Sequence, residues 1–164
     1  RLRRGDLTHL LLQYLPTLAS GARGAACAEW LARHAADLDP ALRDAIAAET
    51  LAVLAVPQAA PFFDPAGLSE APIVGMVGGR PVNGVIDRLV VTPERVLLCD
   101  FKTDRAPPAS ADKAPEKYLR QLAIYRGLLQ ELFAPRPVEV ALVWTAIPSV
   151  MPIPAALLDA RTQG

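Results

Sequence analysis

The stretch that decides the fold is GVIDRLVVTPERVLLCDFKTD, residues Gly84–Asp104. Two apolar runs rich in β-branched residues flank the polar tetrapeptide Thr92–Arg95, a pattern that predicts a β-hairpin with a four-residue loop. If that loop closes symmetrically, paired residues have numbers that sum to 187, and Asp87 lies directly opposite Asp100. Because side chains alternate along a strand, Lys102 shares the sheet face of Asp100. The hairpin therefore brings two carboxylates and one ammonium group together.

Two carboxylates at this spacing need a compensating charge. At about 5 Å they repel by roughly 3 kcal/mol when the effective dielectric constant is about 20. A divalent cation, a shared proton or an ammonium group would offset that repulsion, and carboxylate oxygens suit Mg²⁺ or Mn²⁺. Asp100-Phe101-Lys102 is the Asp-X-Lys arrangement of metal-dependent phosphodiester cleavage, in which the lysine holds a phosphate or polarises a water.

The same three residues also have a purely structural interpretation. An isolated Asp-X-Lys is more often a surface ion pair on an exposed strand. Here the neighbours are Val, Ile and Leu on both faces, which indicates a buried central strand, where charges are rare without a function. A one-residue bulge would move one carboxylate to the other face, and the sequence leaves that alternative open.

Length and composition describe one globular domain. The chain has 164 residues, of which 52% are hydrophobic and 21% are charged, and its formal net charge is zero. The absence of a net positive charge argues against tight free-standing binding to DNA or membranes. No apolar run reaches the length of a membrane span and nothing resembles a signal peptide, so we predict a cytoplasmic protein without a membrane partner. The two cysteines, Cys27 and Cys99, are too few to hold an iron–sulfur cluster. Because the chain begins RLRRGDL without methionine, we expect residues 1–164 to be a single domain excised from a longer protein.

Hydrophobic periodicity and turn residues predict an α/β sandwich around a mixed sheet. The expected helices are Gly5–Leu15, Gly24–Leu38, Pro40–Val56 and Glu116–Phe133, and the expected strands are Ala71–Val77, Val82–Val91, Val96–Phe101 and Val138–Ile147. The first three strands form a meander, and the helix that follows them allows the fourth strand to lie parallel to the third. The residues after Ile147 should form a tail with a short helical turn, and Pro57–Leu68 a loop whose phenylalanines contact the core.

Further polar residues are candidates for the same site. His9 lies among leucines on the first helix, where a histidine is more often a core or edge residue than a ligand, although sites that accept Mn²⁺ also use imidazole. Glu70 precedes the first strand and is either a carboxylate behind the metal ligands or a strand-entry residue. The fourth helix carries Tyr118, Gln121 and Tyr125 on one stripe. That stripe is either an amphipathic boundary or, if it faces the hairpin, a place where the glutamine holds a phosphate or a water and the tyrosines stack on bases.

Four cations surround this stripe. Arg120 and Arg126 flank it and would contact backbone phosphates, and Lys113 and Lys117 extend the same patch. A charge run this short is also typical of a solvated helix face.

These motifs occur in a specific order along nearly the whole chain. They are Gly5 with His9, Glu70 with Pro72, Gly84–Leu89, Asp100–Asp104, and the stripe Tyr118, Gln121 and Tyr125, followed by the strand ALVWT. In that order they resemble the C-terminal nuclease domain of the AddA subunit of bacterial AddAB-type helicase–nucleases and, more distantly, that of RecB. Both belong to the PD-(D/E)XK superfamily, so the resemblance implies a restriction-endonuclease-like α/β core.

The resemblance also implies roles for individual residues. His9, Asp87 and Asp100 would bind the divalent metal, Mg²⁺ or Mn²⁺, and the backbone carbonyl of Phe101 would add an oxygen ligand. Lys102 would assist the attacking water.

The helix residues complete the implied site. Gln121 and Tyr125 would belong to the catalytic set, and Tyr118, Lys117 and Arg120 would contact DNA. Glu70 would stand behind the ligands.

The implied activity is hydrolysis of single-stranded DNA, exonucleolytic, in double-strand break repair and recombination. The implied partners are helicase domains of the same full-length chain and an AddB-like subunit. The chain itself has no phosphate-binding glycine loop, so unwinding would lie outside these residues.

Two other functions are compatible with parts of the pattern. A nuclease-shaped module could bind DNA or a partner without cutting, but such modules typically lose an acidic residue or the lysine. Paired aspartates could also cleave glycosides as acid and base, but that chemistry has no use for Lys102, and its clefts are usually richer in aromatic residues than this chain at 5%.

Overall fold

The structure is a computed structural model that describes residues 2–162. Those residues form five α-helices and five β-strands, joined by short 3₁₀ helices and turns. The helices are α1 (Leu2–Tyr14), α2 (Arg23–His34), α3 (Pro40–Ala55), α4 (Glu116–Phe133) and α5 (Ala155–Thr162), and the strands are β1 (Leu68–Val77), β2 (Arg80–Val91), β3 (Val96–Lys102), β4 (Val138–Trp144) and β5 (Ser149–Ile153).

The strands form one mixed sheet in the order β1-β2-β3-β4-β5, with β3 at its centre. β3 and β4 are parallel, as predicted, and α4 makes the crossover between them. The other neighbouring strands are antiparallel. β3 is buried along Val96–Phe101, which confirms the prediction of a central strand and sets its polar residues in a low-dielectric environment.

The strand register aligns carboxylates across three strands. The pairs of the β2–β3 ladder keep the predicted sum of 187, and one residue beyond the last pair this register sets Asp87 opposite Asp100. The pairs of the β1–β2 ladder keep a sum of 157, which sets Glu70 opposite Asp87. A row of three carboxylates therefore crosses β1, β2 and β3.

The β1–β2 ladder is interrupted at this row, where Glu70 and Asp87 do not form a ladder pair. Glu70 has a φ of 50°, in the left-handed region that side chains other than glycine seldom adopt. Ile86 and Leu89 belong to the same core cluster, although strict alternation would place them on opposite faces. The numbers of paired residues sum to 157 on both sides of the interruption, so neither strand has an extra residue there. The side chains of both strands nevertheless switch to the other sheet face at this point. The bulge that the sequence left open is absent from the paired residues of β2 and β3.

The sheet separates two apolar cores. On one face α4 packs through Leu119, Leu122 and Leu129 against Leu98 and Leu142. The other face contacts α1, α3 and the 3₁₀ helix that follows α3, and α2 closes a third cluster against α1 and α3. The molecule is therefore the predicted α/β sandwich, with α1 and α4 on opposite sides of the carboxylate row.

The C-terminal part differs from the sequence prediction. Ser149–Ile153 is a fifth strand, β5, antiparallel to β4, where a tail was expected. Its proline, Pro152, obscured the pattern, and an edge strand tolerates proline because one side of its backbone needs no ladder donor. β4 ends at Trp144, and the next four residues turn, so the strand is shorter than the predicted Val138–Ile147.

The helical boundaries also shift. α2 ends at His34 rather than Leu38. The predicted loop after α3 contains the 3₁₀ helix Pro57–Phe63, whose Phe62 and Phe63 are buried as expected. Within residues 2–162 no single helix is long and apolar enough to cross a membrane, and the bent pair Pro40–Ala55 and Pro57–Phe63 meets the length and composition requirement only when taken together, across a 90° break.

The arginine of the Gly-X-Ile-Asp-Arg-Leu motif is structural. Arg88 is 2% exposed, and burial lowers the pKa of its guanidinium. It donates hydrogen bonds to the carbonyl oxygens of Phe62 at 3.0 Å and Asp64 at 2.5 Å, and to Ser69 Oγ at 2.7 Å. These three acceptors offset the cost of burying the charge. Arg88 thus fixes the 3₁₀ segment and the start of β1 beside Asp87.

Replacing this arginine tests that role. Arg88→Leu leaves three acceptors without their donor, so we expect the free energy of unfolding to fall by about 2–4 kcal/mol in urea denaturation. Arg80→Leu is the matched control, since Arg80 is exposed at the β1–β2 turn and its loss should change stability by about 0.5 kcal/mol or less. Equal denaturation midpoints for wild type and Arg88→Leu would contradict the structural assignment.

Candidate active site

A cleft of about 1260 Å³ lies where α1 faces the row of carboxylates. Its walls include Gly5, His9 and Gln13 of α1, Glu70 of β1, and the segment Thr103–Arg105 that leaves β3. Spacings of four residues put Gly5, His9 and Gln13 on one side of the helix. The helix therefore presents one polar stripe to the cleft.

Gly5 lets α1 approach the end of β3. A Cβ atom at Gly5 would lie 3.3 Å from Thr103 Oγ1, tighter than ordinary contact. One turn later, the imidazole of His9 packs edge-on against the ring of Phe101, with centroids 5.4 Å apart. This packing places His9 Nδ1 3.7 Å from Asp87 Oδ1. The sequence-predicted histidine and aspartate are thus brought together.

Burial strongly affects the pKa of the Asp87 carboxyl group. Its Oδ2 accepts a hydrogen bond of 2.6 Å from the backbone N–H of Phe101 on β3. Burial, and next the charge of Asp100, raise the pKa of Asp87 from 3.8 to about 6, against the lowering effects of the Phe101 hydrogen bond and His9. The two aspartates therefore interact electrostatically, as the hairpin register predicts.

Asp100 and Lys102 form a buried ion pair. Lys102 Nζ lies 2.5 Å from Asp100 Oδ2, and both side chains are largely buried. Within residues 2–162 no well-directed hydrogen bond reaches that oxygen, so the contact is an ion pair rather than an aligned hydrogen bond. The predicted sharing of one face by Asp100 and Lys102 is confirmed.

Tyr118 of α4 holds the lysine from the other side. Lys102 Nζ lies 3.8 Å from the centroid of the Tyr118 ring, a cation–π contact. The Tyr118 hydroxyl donates a hydrogen bond of 2.9 Å to Asp104 Oδ2. Burial, and next this contact with Asp104, raise the pKa of Tyr118 to about 12, so the hydroxyl stays a donor. The ammonium is thereby fixed between Asp100 and an anchored ring.

Glu70 lies inside β1, not before it as the sequence suggested, because β1 begins two residues earlier. Its Oε1 accepts a hydrogen bond of 3.0 Å from Gln13 Nε2. Ligand atoms of His9, Glu70 and Asp87 all lie within 4.8 Å of one another. Glu70 therefore stands beside His9 and Asp87, in the position of a direct metal ligand rather than only behind the ligands.

The sequence matches a family model along almost its entire length. The model of the PD-(D/E)XK nuclease superfamily matches residues 1–157. The chain belongs to the PD-(D/E)XK nuclease superfamily. A search of curated proteins gives no match. Among nine matching chains of solved structures, one described as the crystal structure of SSO0001 is 16% identical, with a TM-score of 0.39 and coverage of 96% of this chain and 73% of that one. The family assignment rests on the family model.

Membership in the PD-(D/E)XK superfamily, which generally comprises metal-dependent nucleases, agrees with the donor set. Imidazole and carboxylate oxygens suit Mn²⁺ and Mg²⁺. Burial, and next the charge of Asp100, raise the pKa of Asp87 to about 6, and a divalent cation bound beside it would favour the ionised carboxylate. His9, Glu70 and Asp87 are the residues that fit such an ion by geometry. Ligation by Asp100 and by the Phe101 carbonyl stays a prediction from the resemblance.

Not every residue predicted on α4 reaches the cleft. Tyr125 is 7% exposed, and its hydroxyl lies so close to β2 that a Cβ at Gly84 would approach it to 2.1 Å. A base cannot stack on this buried ring, so that expectation is wrong for Tyr125. Gln121 Nε2 donates a hydrogen bond of 3.2 Å to the Tyr125 hydroxyl. Gln121 is thus held by Tyr125, while its role toward phosphate stays a prediction.

The cations on α4 differ among themselves. Arg126 is buried and pairs with Asp159 at 2.6 Å, so the expectation that it contacts phosphate is wrong. Arg120 is exposed and pairs with Glu116 at 3.0 Å. Lys117 Nζ lies 4.8 Å from the Tyr118 centroid. Contacts of Arg120, Lys117 and Tyr118 with DNA stay predictions.

Two residues of the site were not assigned a role from the sequence. Gln13 follows His9 by four residues, and that helical spacing was a usable signal for a shared face. Asp104 ends the Asp100–Asp104 motif, but only the fold shows that it anchors the Tyr118 hydroxyl.

The raised pKa of Asp87, caused first by burial and next by Asp100, predicts that its ionised carboxylate destabilises the metal-free protein. Because the folded state raises the pKa of Asp87, stability is lost as pH rises from about 4 to about 6, at a cost on the order of 2–3 kcal/mol above that window. We therefore expect Asp87→Asn in EDTA at pH 7 to melt about 4–8 °C above wild type, and the difference to vanish near pH 4.

The control for this measurement is Asp44→Asn, an exposed aspartate on α3. Adding Mn²⁺ should raise the melting temperature of wild type and of Asp44→Asn but not that of Asp87→Asn. Coincident melting of all three proteins in EDTA at pH 7 would contradict the raised pKa of Asp87 and the cost of ionising it in the folded protein.

The cation–π contact predicts a role for the Tyr118 ring in cleavage. Tyr118→Leu removes the surface that holds Lys102, so we expect the metal-dependent nuclease activity typical of this superfamily to slow about tenfold. Tyr118→Phe keeps the ring and loses only the bond to Asp104, and should slow cleavage by about threefold or less. Tyr14→Leu, on the exposed part of α1, is the control. Equal losses for Leu and Phe at position 118 would show that the ring itself is dispensable.

Proposed function

We propose that this domain is a divalent-metal-dependent deoxyribonuclease that hydrolyses phosphodiester bonds of single-stranded DNA. The observation that carries the proposal is the convergence of Asp87 of β2 with Asp100 and Lys102 of the buried strand β3. His9 and Glu70 lie beside Asp87. Loss of one carboxylate or of the lysine would favour a silent binding module, and all are present. Superfamily membership supports the nuclease chemistry at the coarser level.

The chain's own residues would divide the work in the following way. His9, Glu70 and Asp87 would hold the cation, together with Asp100. A divalent cation held there supplies a Lewis acid that activates water and offsets charge on the phosphate. The Lys102 ammonium, fixed by Asp100 and Tyr118, would donate hydrogen bonds to the scissile phosphate or to the attacking water.

The finer parts of the proposal come from the resemblance to AddA-type domains. They are exonucleolytic action, delivery of DNA by helicase domains of the same full-length chain, an AddB-like partner subunit, and a role in double-strand break repair and recombination in the cytoplasm. A formal net charge of zero supports delivery, because few phosphates would be held by the domain alone.

The test is cleavage of end-labelled single-stranded DNA at high protein concentration and low salt, in Mg²⁺, Mn²⁺ or EDTA. We expect metal-dependent cleavage that falls at least about a hundredfold in Asp100→Ala and in Lys102→Ala. Asp112→Ala, an exposed aspartate outside the cleft, is the control. A double-stranded substrate in parallel tests the preference for single strands.

A negative result is resolved by Mn²⁺ titration calorimetry. Binding of Mn²⁺ without cleavage would indicate a competent site that lacks delivered substrate, which adding the helicase portion of the full-length chain would correct. If the protein neither cleaves DNA nor binds Mn²⁺, the proposal is overturned, and the domain is a silent nuclease-shaped module.

A further inference from the structure

The two carboxylates beside His9 are each held through one oxygen by a neutral N–H donor. Asp87 Oδ2 accepts from the backbone N–H of Phe101 at 2.6 Å, and Glu70 Oε1 accepts from Gln13 Nε2 at 3.0 Å. Within residues 2–162 no other hydrogen bond reaches either carboxylate. Each carboxylate therefore keeps a second oxygen with which it can ligate a cation beside His9.

The neutrality of the Gln13 amide distinguishes it from a charged partner. On the wall of the same cleft, Glu49 is paired with Arg4, and its charge is offset there. An ammonium or guanidinium in the position of Gln13 would offset the charge of Glu70 in the same way and would compete with a bound cation. An amide fixes the carboxylate and leaves its negative charge in place.

The backbone at Glu70 does not give its side chain the usual direction of a strand residue. Glu70 forms no ladder pair with β2, and its φ of 50° lies in the left-handed region. The regular pleat of β1 is therefore interrupted at this residue. The hydrogen bond from Gln13 is the one contact among the described hydrogen bonds that directs the Glu70 carboxylate into the cleft.

The same contact contributes little to the docking of α1. Leu11, Leu12 and Leu15 of this helix are fully buried, so packing against the sheet, α2 and α3 holds the helix in place. The hydrogen bond between Gln13 and Glu70 is exposed to solvent, and replacing such a surface residue changes stability by about 0.5 kcal/mol or less. A purely structural role therefore leaves this amide with little to do.

We propose that Gln13 is a positioning residue that orients Glu70 as a ligand for a divalent cation. The inference rests on the proposed function and adds to it a residue outside the set of ligands. Carboxylates that bind metal ions are themselves hydrogen-bonded, and loss of the partner typically weakens metal binding by about 10- to 100-fold. The Gln13 amide acts on the cation only through Glu70.

The test is a calorimetric titration of Mn²⁺ into wild type and Gln13→Met. Methionine keeps the length and the helix propensity of glutamine and removes its N–H donors. We expect the Kd for Mn²⁺ to rise about tenfold. The melting temperature in EDTA should change by about 2 °C or less, because the lost contact is exposed. Gln130→Met changes an exposed amide at the far end of α4 and is the matched control, which should bind Mn²⁺ as wild type does.

A double-mutant cycle with Glu70→Ala shows whether the effect passes through Glu70. Glu70→Ala alone should weaken Mn²⁺ binding more than Gln13→Met does, because it removes the ligand itself. Adding Gln13→Met to Glu70→Ala should change the Kd by less than about twofold. Independent, additive losses would overturn the positioning role.

Cleavage kinetics separate positioning from direct catalysis. In Gln13→Met the Mn²⁺ concentration that gives half-maximal cleavage should rise by the same factor as the Kd. The rate at saturating Mn²⁺ should stay within about twofold of wild type. A lower saturating rate at an unchanged half-maximal concentration would contradict the inference.

Failure of the proposed function is distinguishable from failure of this inference. If wild type and Gln13→Met bind Mn²⁺ with equal Kd, or if Gln13→Met melts far below wild type in EDTA, the inference is overturned and the proposed nuclease is unaffected. If wild type binds no Mn²⁺, the metal-dependent function is overturned, and the role of Gln13 is overturned with it.

Discussion

The pairing of β2 with β3 holds Asp87 opposite Asp100, and the surrounding residues are arranged around the resulting repulsion. The backbone of Phe101 donates to one carboxylate and Lys102 neutralises the other, but burial still raises the pKa of Asp87 to about 6. Because β3 is buried on both faces, the local dielectric constant is low and every charge interaction around these two carboxylates is stronger. The same low dielectric that makes the site costly to fold would make a bound cation and an ammonium effective toward phosphate.

The helices α1 and α4, on opposite sides of the sheet, contribute different residues to the candidate site. α1 supplies a polar stripe, and its glycine permits the close approach that sets His9 beside Asp87. α4 supplies Tyr118, whose ring restrains the Lys102 ammonium.

The sequence was sufficient to predict the structure where the length of a hairpin loop determines the register of the two strands that it joins. The four-residue loop after Val91 determined which residues of β2 and β3 pair, so the opposition of two aspartates followed from counting. The sequence was insufficient where tertiary contacts decide. The left-handed backbone of Glu70, the burial of Tyr125 over Gly84, and the ion pair that occupies Arg126 depend on elements distant in the chain. β5 was missed because its proline is acceptable only at an edge, which the sequence does not reveal.

The backbone of Glu70 has a consequence for how this position would respond to selection. A φ of 50° is strained for glutamate and relaxed for glycine. A library screened only for abundance or heat resistance should therefore enrich glycine at position 70, whereas a screen for cation-dependent activity should retain the acid. If the two screens enrich different residues at position 70, glutamate is retained at this exposed strand position for its chemical role, at the cost of backbone strain.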